Sequence, residues 1–204
     1  MSFIDYTYFI NDIGLPVSSN TALRTALTEA ITAYEEEILK KLLGYTLWKA
    51  LDADLVDSVP QTQIYIDLVN GAEFTFTYEG YTINTKWEGL VNTAKKSLLA
   101  YYTYYQYRRN FVGNATGIAE VVNKPENATV VSPLHKLTRA WNRMVDLYGE
   151  TPNILFKYPD YFLTDSNYEH FNTQPSAYNF LLANSTDYPT WVFTPIRKIN
   201  RFEV

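Results

Sequence analysis

The sequence contains no cysteine. Disulfides, thiolate zinc sites and cysteine nucleophiles are excluded together, and a reducing cytoplasm is the natural place of synthesis. Histidine is nearly as scarce: His135 and His170 are far apart and neither has a partner at metal-ligand spacing. His135 falls in the first turn of a helical segment and reads as a surface or partly packed residue. Phosphate-cradling glycine motifs and the strained serine elbow of α/β hydrolases are also missing. Positive charge is in deficit, with 17 Lys and Arg against 22 Asp and Glu and a net charge of -5, so the global field does not favour nucleic acid or an anionic membrane. No apolar run approaches a membrane span, and Met1 to Tyr6 lacks the basic and apolar stretches of a signal peptide. With no export signal expected, the sequons at Asn114, Asn127 and Asn184 read as chance.

What the chain has in excess is tyrosine, 18 copies in 204 residues. Tyrosine suits positions where one end of the ring is buried and the other wet, as at interfaces. Five tyrosines fall between Tyr101 and Tyr107. One core face cannot take them all, so some are expected against another chain, a ligand or water.

Hydrophobic spacing divides the chain into elements. Residues 2 to 17 are apolar but aperiodic and read as a strand or packed extended segment. Ser18, Ser19 and Asn20 offer N-cap chemistry for a long helix with Leu23, Leu27, Ala30, Ile31, Tyr34, Ile38 and Leu42 on its buried face. Glu36 with Lys40 and Glu37 with Lys41 are favourable i,i+4 pairs on a solvated face. Gly44 is the expected C-cap, with a short helix through Tyr45, Leu47, Trp48 and Leu51 turning back on the first. Pro60 is placed to begin a third helix that stops at Asn70-Gly71. A hairpin over residues 73–86, with Glu79-Gly80 as its loop, pairs Tyr78 with Tyr81, Phe76 with Ile83 and Phe74 with Thr85. Its other face carries Thr75, Thr77, Thr82 and Asn84. Such a hairpin must lean on a helix or a neighbouring subunit.

The main helix is expected from near Glu88, with Leu90, Val91, Ala94, Leu98, Tyr101, Tyr102 and Tyr105 inward and Tyr104, Tyr107 and Lys96 outward, ending at Gly113. In residues 113–131, Ile118 to Val122 and Ala128 to Val131 flank a turn-like Asn123 to Asn127. A second projecting hairpin and a disordered loop both fit. Ser132-Pro133 starts a helix with the cleanest apolar stripe, Leu134, Leu137, Ala140, Trp141, Met144, Val145 and Tyr148, closed by Gly149. Beyond it come five prolines and scattered aromatics, with one short helix expected from Ser176 to Leu182. This tail cannot easily make its own core and reads as an arm packed over something else. The class is therefore mainly α: a helical bundle with one or two β-hairpins and an extended C-terminal arm.

The search for chemistry returns little. Asp52, Asp54 and Asp57 begin like a calcium loop but lack its central glycine and closing glutamate, and read as a solvated helix end. Glu35, Glu36 and Glu37 point in different directions on a helix and have no paired carboxylate segment. Arg108 and Arg109 after the tyrosine run suggest a single-strand stacking platform; equally, they complement a helix dipole and hold acidic partners.

The order of long helix, Leu42-Leu43-Gly44-Tyr45, short helices, aromatic hairpin, Trp87-Glu88-Gly89-Leu90, tyrosine helix, projecting loop and Trp141 helix with Gly149 resembles the head-tail connector (adaptor) proteins of tailed bacteriophages. It is most similar to neck proteins of phages of Bacteroides-type hosts, including crAss-like phages. The resemblance spans roughly residues 20–150. It implies a helical connector domain, residues 1–150, with hairpin 73–86 and projecting loop 113–131, and an extended arm, residues 151–204, longer than in minimal connectors. It further implies a virion neck protein, not an enzyme and without cofactor or metal. Such proteins form a homo-oligomeric ring, usually of roughly twelve copies, against the portal protein and other neck or tail proteins. Double-stranded DNA passes through the ring without being read, and no membrane is involved. The residues expected at protein contacts are Tyr104, Tyr107, Arg108 and Arg109 on the main helix and Trp191, Phe193 and Arg197 in the arm. The alternative is a non-catalytic nucleic-acid-binding accessory protein that uses the Tyr/Arg helix.

Overall fold

The computed structural model describes residues 2–16, 21–78, 81–111, 114–115, 120–121, 134–150, 153–156 and 171–199. Among these residues, five α-helices and four two-stranded antiparallel sheets make a mainly helical fold with β-hairpins, as the patterning predicts. The predicted caps at Ser18 to Asn20 and Ser132-Pro133, the stop at Gly113 and His170 lie outside the described residues.

Helix α1 (Thr21–Asp54) buries Leu27, Ile31, Ile38 and Leu42 on the expected face and breaks at Gly44, where φ is 73°. The break turns the chain back. Leu51, Asp52 and Leu55 line the same cavity as Thr32 and Glu35, which an unbroken helix would hold roughly 30 Å apart. Strands β1 (Leu55–Val56) and β2 (Val59–Pro60) form a tight hairpin, and α2 (Gln63–Asn70) follows. Pro60 therefore pairs with Leu55 and does not start the helix. The Asp54 carboxylate accepts the Gln61 and Thr62 N–H groups and the Thr62 hydroxyl, which holds this stretch extended up to Gln63.

Strands β3 (Ala72–Tyr78) and β4 (Tyr81–Trp87) pair in the predicted register, Tyr78 with Tyr81, Phe76 with Ile83 and Phe74 with Thr85. Phe74, Phe76 and Ile83 are buried; Thr75, Thr77, Thr82 and Asn84 are exposed. The hairpin leans on the chain's own helices. Trp87 Nε1 donates to Leu68 O of α2 at 2.9 Å, and Phe74 meets the Phe180 ring edge-on at 5.4 Å.

Helix α3 (Leu98–Phe111) begins ten residues later than the apolar spacing suggests. Between Gly89 and Ser97 the Asn92 side chain accepts from Lys96 N and donates to Lys96 O, closing a loop in which Lys95 has positive φ. Ser97 then caps α3: its hydroxyl accepts from Leu99 N, and its carbonyl takes the first helical bond, from Tyr101 N. Local side-chain bonding of this kind competes with helix in a segment that hydrophobic spacing alone reads as helical.

After α3, β5 (Asn114–Ala115) pairs with β6 (Glu120–Val121). The expected partner of residues 118–122 was the 128–131 segment, which lies outside the described residues. Helix α4 (Leu134–Tyr148) buries Leu137, Ala140, Met144, Val145 and Tyr148, while Leu134 at its start is exposed. Strands β7 (Asn153–Phe156) and β8 (Phe171–Gln174) pair. Helix α5 (Ala177–Ala183) opens with a capping box, Ser176 with Asn179, within a residue of the predicted span. Ala177, Phe180, Leu181 and Tyr188 join the common core, so what the C-terminal segment packs over is its own chain. Near the other terminus, residues 2–16 form two 3-10 turns, Tyr6–Tyr8 and Asn11–Ile13, rather than a strand, and bury Ile4, Tyr8, Phe9 and Ile13.

Candidate interaction surface

Helix α3 lies between α1 and α4 and is buried almost all round. Its tyrosines therefore do not divide into an inner and an outer set. Tyr104 is 3% exposed and Tyr107 7%, which corrects the expectation that they face outward. That expectation counted a single covering face; α4 and the N-terminal segment cover the rest.

The hydroxyls explain how so many tyrosines are accommodated. Tyr101 donates to Asp12 at 3.2 Å. Tyr102 donates to Glu37 at 2.8 Å and accepts from Lys41 and Gln106. Tyr105 packs its ring on Trp141 at 4.7 Å. Burial raises the Tyr104 hydroxyl above its ordinary value, opposed by the nearby charges of Arg108 and Arg139 and a hydrogen bond with Arg108.

That pairing marks the surface where α3 meets α4. Arg108 is half-buried and Arg109 exposed at the α3 C-terminus. Alongside runs a groove of about 580 Å³ lined by His135, Lys136, Thr138, Arg139, Asn142, Arg143, Asp146 and Ile199. Lys136, Arg139 and Arg143 recur at helical spacing on one face, concentrating positive charge on a net acidic chain. That spacing is present in the sequence, on the polar side of the α4 apolar stripe.

The arm residues run from the Gly44 break and α5 onto α4. Trp191 donates its indole N–H to Leu42 O at 2.8 Å and packs against Tyr178 at 5.4 Å. Phe193 lies on Tyr178 and Tyr148. Both are half-buried against their own chain. Arg197 keeps an exposed side chain while its carbonyl accepts from Trp141 Nε1 at 2.8 Å. Asn142 bonds both the N–H and the C=O of Ile199, and Lys198 pairs with Asp146 at 2.6 Å. The arm is thus clipped along α4 and forms one wall of the groove.

Of the seven residues expected at contacts, Arg108, Arg109 and Arg197 are exposed or half-exposed cations, and Tyr104, Tyr107, Trp191 and Phe193 pack within the fold. His135 is exposed at the groove's end. Among the described residues no group of three or more His, Asp or Glu side chains could hold a metal ion, and no helix is long and apolar enough to cross a membrane. No family model, curated protein or solved structure matches the chain.

Proposed function

We propose that this chain is a structural virion protein of the phage neck, a head-tail connector that forms a homo-oligomeric ring between portal and tail through which DNA passes. The observation that carries the reading is the cationic α4 groove, walled by the clipped arm, on a chain of net negative charge. A ring is built from heterologous contacts, in which one face of a subunit meets a different face of its neighbour. A groove with a surplus of cations on an acidic protein is suited to such a contact, because it attracts the rest of the same chain. The element order from α1 to α4 supports the same reading through the resemblance to connectors.

The nucleic-acid alternative loses its stacking platform, since the rings of Tyr104 and Tyr107 are not accessible to bases. Light scattering and negative-stain imaging of the purified chain, alone and with portal rings, test the proposal. Rings in either sample are the expected result. A chain that stays monomeric and leaves portal rings undecorated overturns it.

A further inference from the structure

Glu35 lies on the apolar stripe of α1, four residues after Ile31, and is 2% exposed. Its Oε1 accepts the backbone N–H of Phe3 at 2.9 Å and of Ile4 at 3.2 Å, and its Oε2 lies 2.5 Å from Ser2 Oγ. Ser2 Oγ is also 2.8 Å from Ile4 O. A hydroxyl owns one proton. If the carboxyl is neutral, Ser2 donates to Ile4 O, Glu35 donates to Ser2, and Oε1 takes both amides, so every group is satisfied. If it is a carboxylate, Ser2 must turn to Glu35 and the carbonyl of Ile4, a buried residue, loses that donor.

We propose that the N-terminal segment, residues 2–16, is a strap whose grip on the helical body is set by a proton on Glu35: the neutral acid holds it and the carboxylate loosens it. The surroundings favour the acid. A cavity of about 90 Å³ beside Glu35 is walled by the carboxylates Glu36 and Asp52 and by Trp48. Lys40, which lies over the Trp48 ring, is already paired with Glu36. Tyr8 also faces the group, and the chain's amino terminus pulls the other way. Burial pushes the Glu35 carboxyl up to about 7, against the lowering effect of the Ser2, Phe3 and Ile4 hydrogen bonds.

The raised value fixes the sign. The strap is held fully below the ordinary carboxyl value and loses grip as pH rises through about 7. Its two 3-10 turns pack on α1 and α4, so loosening bares those helices.

The test is amide hydrogen exchange of residues 2–16 in the full chain, corrected for intrinsic rates. Between about pH 5.5 and 8.5 the strap's opening constant should rise roughly 30-fold. In Glu35→Gln the side-chain amide donates to Ser2 and its oxygen accepts both N–H groups, so protection should be flat across that range. Equal protection at both pH values in the unaltered protein, or an unchanged pH response in Glu35→Gln, overturns the proposal. A second measurement needs no variant: the Glu35 carboxyl carbon, followed by NMR, should titrate near neutrality, and a midpoint at the ordinary glutamate value would equally rule it out.

Discussion

Trp191 donates its indole N–H to the carbonyl of Leu42 at 2.8 Å, across 149 residues of sequence. The bond is one of a set. The break at Gly44 frees the last carbonyls of the first part of α1, and the chain answers three in succession: Lys41 O accepts from the Tyr148 hydroxyl at 2.9 Å, Leu42 O from Trp191, and Leu43 O from Val192 N at 3.4 Å. The C-terminal segment thus serves as the cap of a helix laid down near the N-terminus.

Trp191→Phe should keep most of the ring packing and lose the donor to Leu42 O. An unanswered, partly buried carbonyl costs about 1–3 kcal/mol. A lower urea midpoint with an unchanged slope is the expected result. Tyr148→Phe should fall by a similar amount, because that hydroxyl sits between Lys41 O and Thr194 O.

Gly71 and Gly89 are pressed together at the base of the β3–β4 hairpin. Both have positive φ, 92° and 85°. A Cβ on Gly71 would fall 2.2 Å from Trp87 O, and one on Gly89 2.5 Å from Val69 O. Alanine at either position combines left-handed strain with a clash against backbone, together about 2–4 kcal/mol. Thermal melts should show a large drop for either variant, and much less for an alanine at exposed Thr75.

The Glu37, Lys41 and Tyr102 cluster contributes a pH dependence opposite in sign to that of Glu35. Burial alone would raise Glu37, but hydrogen bonds from Lys41 and Tyr102, with the Lys41 charge, bring it below its ordinary value. A lowered carboxyl gives stability that is present above the unfolded value of 4.5 and lost as pH falls below it. Glu37 is nearly half exposed, so the effect is small. In Glu37→Gln the decline in urea midpoint below about pH 4.5 should be shallower than in the unaltered chain.

Charge reversal in the groove separates assembly from folding. Lys136 and Arg139 are exposed, so Lys136→Glu with Arg139→Glu should shift the melting temperature little. Self-association, or binding to portal rings, should weaken at low salt, and its salt dependence should diminish. Unaltered association would place the subunit contact elsewhere.

Much of the architecture could be read along the chain because it is written in local periods. The α1 and α4 stripes, the Phe74 to Ile83 register and the Ser176 start of α5 each depend on residues a few positions apart. The start of α3 is not legible from spacing, because the Asn92 and Ser97 side-chain bonds outweigh an apolar pattern that continues through them. The α4 cations were visible at their helical spacing but carry meaning only beside Arg108 and the arm.

Sequence alone determined the element types, the hairpin register, the want of thiol chemistry and the excess of tyrosine, since each follows from composition or from spacing of two to four residues. Tertiary packing decided what those residues do. Glu35, Glu36 and Glu37 are chemically identical neighbours, yet helical rotation turns only Glu35 into the core, where the N-terminal amides meet it. Tyr104 and Tyr107 lost their open face because a second helix covers the side that the first leaves free. Burial is a property of everything that packs around a residue, and no local period encodes it.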